Sequence, residues 1–243
     1  MKKMIYPITL STFFVAIVIY SIFHADLKPS EYIIVLIGCI YLGLGIYSYR
    51  QQPYTKVMKN YLLLMFVSSL AISLSVPSSL EISLTREIEV LAVSFAPFVL
   101  LQFFQYFPNT KRPKSYLFIR YISLILSFMT TILYFVQIFN NLRILNILAR
   151  VSAITNLAIS IIACCILLYQ HLKFNSAKVR SQISLLIYGI FVSFAPVLLF
   201  SLIPEYIFYL QTVPFQYSLI TIVVLPITLS YLFSKHEIID FHI

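Results

Sequence analysis

Charged residues cut this chain into eight uncharged spans, and that spacing limits the fold more than any motif does. The spans lie between Lys3 and Asp26, Glu31 and Arg50, Lys59 and Glu81, and Glu89 and Lys111. They continue between Arg120 and Arg143, Arg150 and Lys173, Arg180 and Glu205, and Glu205 and Lys235. As a helix rising ~1.5 Å per residue, each is long enough to cross a hydrocarbon layer about 30 Å thick. The expected fold is therefore all-α, a polytopic membrane bundle of eight transmembrane helices. The eighth is expected to start near Thr212-Val213-Pro214, a capping residue followed by a first-turn proline. Apolar residues make up 60% of the chain and charged ones 10%, against about 25% charged in a soluble domain, which leaves almost nothing for a soluble part.

The basic residues set the expected orientation. Lys2, Lys3, Arg50, Lys56, Lys59, Lys111, Arg112, Lys114, Arg120, Lys173, Lys178, Arg180 and Lys235 fall in one alternating set of connections. The other set holds only Lys28, Arg86, Arg143 and Arg150, together with six of the acidic residues. The positive-inside rule then places both termini in the cytoplasm. A net charge of +9 spread over such clusters is a topology signal facing anionic lipid, and nucleic acid is not an expected partner. Lys2 and Lys3 could also open a signal peptide, but Ser21-Ile22-Phe23-His24-Ala25 lacks a small-x-small cleavage pattern, so a retained first helix is expected.

Within the spans, small and polar residues mark helix contacts, because in lipid helices associate through close packing and polar pairs. Ser68, Ala71 and Ser75, with Ser69 and Ser73 beside them, form one such face in the third span. Ala149, Ser152, Asn156, Ser160 and Ala163 form another in the sixth. Both faces are expected to point into the bundle. A polar substrate path is the competing use, and it lacks an acidic residue or histidine deep in a span. Arg150 is expected about one turn inside the outer end of the sixth helix, with Asn146 on the same face. It either snorkels to the interface or meets a carboxylate, whether Glu87, Glu89, Glu205 or the acidic end of a ligand.

Val93-Ser94-Phe95-Ala96-Pro97 recurs as Val192-Ser193-Phe194-Ala195-Pro196. Pro97, Pro196 and Pro226 each remove a helical hydrogen bond, so each is a kink and a hinge candidate that can open a cavity. Tyr106, Tyr116, Tyr206 and Tyr209 sit at span ends, where an interfacial aromatic belt accounts for them. Cys39, Cys164 and Cys165 lie within spans and have neither a disulfide framework nor metal spacing. The four glycines build no phosphate-cradling loop, and His236 and His242 are six residues apart instead of the four of a zinc-protease helix. No catalytic residue, metal site or cofactor is predicted.

One resemblance adds to this. Ser193-Phe194-Ala195-Pro196, the apolar run to Leu202-Ile203-Pro204, Leu225-Pro226-Ile227, Tyr231, Lys235 and Ile239-Asp240 follow one another in order. So do Ser94 through Phe103 and then Lys111-Arg112. This ordered set resembles the membrane region of ComP-type sensor histidine kinases, which control competence by quorum sensing, and spans roughly 32–243. The resemblance implies a bacterial plasma-membrane receptor, a homodimer, with an extracellular, lipid-modified peptide pheromone as ligand. It also implies a cytoplasmic kinase region, in cis or in trans. On that basis residues 1–234 are expected to be the sensor domain and 235–243 the start of a cytoplasmic linker. Arg150, Asn146, Glu205, Phe95 and Phe194 are the expected ligand contacts. Pro97, Pro196, Pro226, Lys235 and Asp240 are the expected hinge and transmission residues. The chain departs from the family in a short first connection around Asp26–Glu31 and in holding no kinase. A small transporter, or a lipid-handling membrane protein, is the alternative.

Overall fold

The computed structural model describes residues 2–29, 31–51, 55–82, 84–107, 114–140, 143–174, 177–202, 204 and 220–234. Among the described residues helix is the only regular element. The helices are α1 (Lys2–His24), α2 (Tyr32–Gln51), α3 (Lys56–Ser79), α4 (Thr85–Tyr106), α5 (Lys114–Asn140), α6 (Arg143–Phe174), α7 (Ala177–Val197) and α8 (Val224–Ser234). Seven of them, α1 to α7, are long and apolar enough to cross a membrane, the architecture of a multi-pass membrane protein. The last, with its lead-in from Ile220, is apolar but shorter. The remainder of the expected eighth span lies outside the described residues, and so do Glu205, Lys235 and Asp240.

Side-chain pairings show that successive helices run in opposite directions. Gln102, late in α4, donates to Asn60, early in α3, at 2.8 Å. Tyr116, at the start of α5, donates to the carbonyl of Leu101 at 2.8 Å. Thr130 of α5 meets Ser152 of α6 at 2.7 Å, and Thr221, leading into α8, donates to the Ser193 carbonyl of α7 at 3.1 Å. One end of the bundle therefore gathers Arg50, Lys56, Lys59, Lys114, Arg120 and Arg180. The opposite, acidic end gathers Asp26, Glu31, Glu81, Glu87 and Glu89.

Helix packing closes α2, α3, α4, α6, α7 and α8 into a ring. Outside it, α1 lies on α2 and α3, and α5 lies on α4 and α6. The two outriggers are the least buried of the seven long helices. Close approach around the ring depends on small residues: at Gly38 an added Cβ would meet Ser73 Oγ and come within 2.8 Å of the Ser69 carbonyl.

Both predicted packing faces point inward. Ser69 and Ser73 are buried against α2, while Ser68, Ala71 and Ser75 face the centre of the ring. On α6, Ala149, Asn156, Ser160 and Ala163 are buried. Asn156 Nδ2 donates to the Ser123 carbonyl at 3.2 Å and to Ser127 Oγ at 3.1 Å, which ties α5 to α6.

Three sequence expectations shift. Helix α4 starts at Thr85, not at the charge boundary, so Glu89 lies one turn inside a membrane-length helix. The cause is the tight turn before it, where Glu81 (φ 59°) and Leu84 (φ 67°) adopt left-handed backbone. Helix α6 starts at Arg143, which sets Arg150 about two turns in, not one. Tyr116 is buried, 3% exposed, and not part of an interfacial belt, because α5 folds back on α4 and the hydroxyl is taken by Leu101.

Candidate functional site: a cavity at the acidic end of the ring

Inside the ring is a chamber of about 300 Å³ whose wall is almost wholly apolar. Leu64 and Met65 of α3, Leu100 of α4, Leu157 of α6, and Ile222 and Leu225 at α8 form much of it. It continues toward the acidic end into a polar vestibule of about 310 Å³. Ser78 and Ser79 of α3, Glu81, Arg86 and Gln137 border only that vestibule. Ser75, Glu89, Val93, Tyr134 and Arg150 border both spaces and so stand at their junction. Volumes of this size fall at the low end of small-molecule sites.

The prolines shape the wall. Pro97 and Phe194, one from each copy of the repeated motif, line the chamber from α4 and α7. After Pro196 the α7 backbone widens into a π-helical turn, Leu198–Leu202, whose first residue also lines it. A proline withholds the donor that an upstream carbonyl would use, and a π turn is one of the local adjustments that follow. At Pro226 the deprived acceptor is the Ile222 carbonyl, and Tyr41 of α2 supplies a hydroxyl to it at 2.6 Å.

The opposite end of the ring is filled. Tyr61, Phe103, Phe104, Phe107 and Phe233 are all buried. The Phe233 ring meets Tyr61 at 5.0 Å, Phe107 at 5.4 Å and Phe103 at 6.3 Å, each edge-on. Offset and edge-on ring pairs of this kind are favoured by the aromatic quadrupole. Tyr61 also donates to the Pro226 carbonyl at 3.2 Å and meets Ser230 at 2.9 Å, and Ser48 donates to Ser230 at 3.1 Å. Helix α8 is thus pinned at its basic end by α2, α3 and α4, while its other end walls the chamber.

Charges at the vestibule come as two of each sign. Arg86 and Glu81 approach to 4.0 Å at the mouth, where Glu81 is 82% exposed. Such an exposed pair contributes little to stability. Glu89 is half-buried, and its Oε2 accepts the Ser78 hydroxyl at 3.0 Å.

Of the residues expected to contact ligand, Arg150 and Phe194 border the chamber. Phe95 does not border either space, and its ring meets Phe128 of α5 edge-on at 5.1 Å. The side chain of Asn146 and all of Glu205 lie outside the described residues. Glu89, one of the carboxylates the sequence offered as a counterpart for Arg150, stands with it at the junction, whereas Tyr41 was not placed at the site by sequence. No signal marks Tyr41, since its partner is 181 residues away. No protein family, curated protein or solved structure matches the chain.

Proposed function

We propose that the chain is the sensory membrane part of a two-component quorum-sensing histidine kinase in a bacterial plasma membrane. It crosses the membrane eight times with both termini in the cytoplasm, and the acidic end of the ring faces outward. An extracellular peptide pheromone enters the vestibule and chamber, and a cytoplasmic kinase region, in cis or in trans, receives the output. The observation that carries this reading is the double engagement of α8. Ile222 and Leu225 contact the cavity, and Phe233, about 16 Å further along the helix, is held in the aromatic cluster beside Ser234.

A ligand shifts a conformational equilibrium only by its differential affinity for two states. The differential contact here is at the outer ends of α7 and α8, where Phe194, the first residue of the π turn, Ile222 and Leu225 line the chamber. A changed kink angle at Pro226 rotates or tilts the pinned half of α8, and the linker 235–243 carries that movement to the kinase of a homodimer.

The test is a fusion of the chain to the kinase core of a sensor histidine kinase, reconstituted in nanodiscs and assayed for autophosphorylation against medium from pheromone-secreting cells. A dose response that Pro196→Ala, Pro226→Ala and Arg150→Ala leave untouched would sink the mechanism. Solute uptake by proteoliposomes of the chain alone would favour a small transporter or lipid-handling protein. That reading has to find an exit through the buried aromatic cluster.

A further inference from the structure

We propose that the junction of chamber and vestibule is a binding site for a primary ammonium attached directly to an apolar body. The ammonium docks on Glu89 and on the serine face that ends α3, and the body fills the chamber. This names the chemical class of the ligand, and it rests on the reading of the cavity as the receptor's ligand site.

Ser75, Ser78 and Ser79 are three and four residues apart, so their hydroxyls share one face at the end of α3. All three border the vestibule, and Ser75 also borders the chamber. A hydroxyl has one proton to donate, and here each is already placed. Ser75 Oγ donates to the Ile72 carbonyl at 2.8 Å, and Ser79 Oγ to the Val76 carbonyl at 2.6 Å. Ser78 Oγ donates to Glu89 Oε2 at 3.0 Å. What these oxygens still present is lone pairs. Glu89 adds to them, for its Oε1 takes no hydrogen bond from the described residues and is not sealed from the cavity. This side of the junction is a wall of acceptors. A primary ammonium carries three donors and no acceptor, which is the complement of such a wall.

The other charges do not reverse that choice. Glu81, Arg86, Glu89 and Arg150 border the vestibule, two of each sign, so its net field favours neither. Arg86 approaches Glu81 at 4.0 Å. Arg150 is exposed and has an interaction of its own, so it needs no counterpart from the ligand. An anionic head drawn to either guanidinium gains the strength of an exposed pair, at most about fivefold in affinity. A hydrogen bond to the half-buried carboxylate of Glu89 is a charged one, on the order of tenfold to a hundredfold. Tyr134 and Gln137, from α5, can both donate and accept, and so discriminate against neither head.

Beyond the junction the chamber wall is almost wholly apolar, so the ammonium must be joined to hydrocarbon that fits about 300 Å³. An aminophospholipid does not meet this condition, because a phosphate separates its ammonium from its chains. Two sources do: the free amino terminus of an apolar peptide, and an aliphatic amine.

The experiment uses the full chain in phosphatidylcholine nanodiscs, whose headgroups carry no N–H and no net charge, with empty discs as background. Tritiated octylamine is the probe, competed by octyltrimethylammonium, octanol and octanoate, which share its chain. Octylamine should bind at least about tenfold more tightly than each competitor. Octyltrimethylammonium has the same charge and no donor, so that comparison separates the acceptor wall from simple charge attraction. Glu89→Gln, which keeps an acceptor for Ser78, should bring octylamine to within about threefold of octanol. Ser75→Ala removes one acceptor without breaking a contact between helices, and should narrow the gap between octylamine and octyltrimethylammonium by at least about threefold. The readout is a ratio of probes within one variant, so a partly destabilised variant still reports. Equal binding of octylamine and octyltrimethylammonium overturns the proposal. So does tightest binding of octanoate, or a set of ratios that neither substitution changes.

Leucyl-leucine amide and its N-acetyl form separate the sources. Competition by the free amine alone supports a peptide amino terminus, and competition by neither supports an aliphatic amine. No kinase is present in this assay. Its failure therefore leaves the receptor reading standing, and a fusion that ignores pheromone leaves the ammonium site standing.

Discussion

The hydroxyl of Tyr41 lies 2.6 Å from the carbonyl oxygen of Ile222, four residues before Pro226 and therefore the acceptor that the proline leaves without a helical donor. Both residues also line the chamber. A side chain from α2 thus completes the backbone of α8 at the wall of the cavity.

Replacing Tyr41 by Phe should lower stability by about 1 kcal/mol, the scale of a polar contact between membrane helices. In a Pro226→Ala background the restored amide serves Ile222 instead, so Tyr41→Phe should cost only a few tenths there. Thermal unfolding in detergent, followed by a thiol-reactive dye in a Cys39→Ser, Cys165→Ser background that leaves buried Cys164 as the reporter, measures the cycle. Equal costs in the two backgrounds would show that the hydroxyl does not answer the proline.

Gly38 and Gly43 stand five residues apart on α2 and should respond oppositely to Ala. At Gly38 a Cβ would overlap Ser73 Oγ and crowd the Ser69 carbonyl, so α2 and α3 must separate, at about 1–3 kcal/mol. Nothing lies within 4 Å of a Cβ at Gly43, and Ala there should be neutral or stabilising, since it removes unfolded-state freedom without strain. The same unfolding assay reads both.

Phe233→Ala would empty the centre of the aromatic cluster, and truncation of a buried Phe costs about 3–5 kcal/mol. Phe233→Leu keeps most of the volume and should recover most of that loss. In the kinase fusion, Phe233→Leu should alter basal activity more than the exposed Ile227→Leu does.

Asn156→Ala should cost about 1 kcal/mol, because it strips two acceptors on α5 of their donor. Ser193→Ala should cost less than half as much. Its hydroxyl is buried with no hydrogen-bond partner among the described residues, so its removal takes away a desolvated group rather than a bond. A ranking of these two variants by midpoint temperature tests the contrast.

The inward faces of α3 and α6 were legible in sequence because packing in lipid selects small and polar residues at helical spacing. Ser69, Ser73, Asn156 and Ser160 show that periodicity and are buried. The prolines were legible for the same kind of reason: a missing amide is a local fact, and Pro97 does line a cavity wall. The position of Glu89 was not legible, because a charged residue marks a span boundary by default. Only the left-handed turn at Glu81 and Leu84 moves the helix start a turn ahead of it.

Length, apolarity and the alternation of basic clusters, all additive along the chain, determined by themselves that this protein is a bundle of membrane-length helices. Which helices close the ring was decided by tertiary structure alone. So was the choice of Phe194 over Phe95 for the cavity, and the pairing of Tyr41 with Ile222. These depend on contacts between residues up to 182 positions apart, as in Ser48 with Ser230, and no periodicity within one helix encodes the angle at which another arrives.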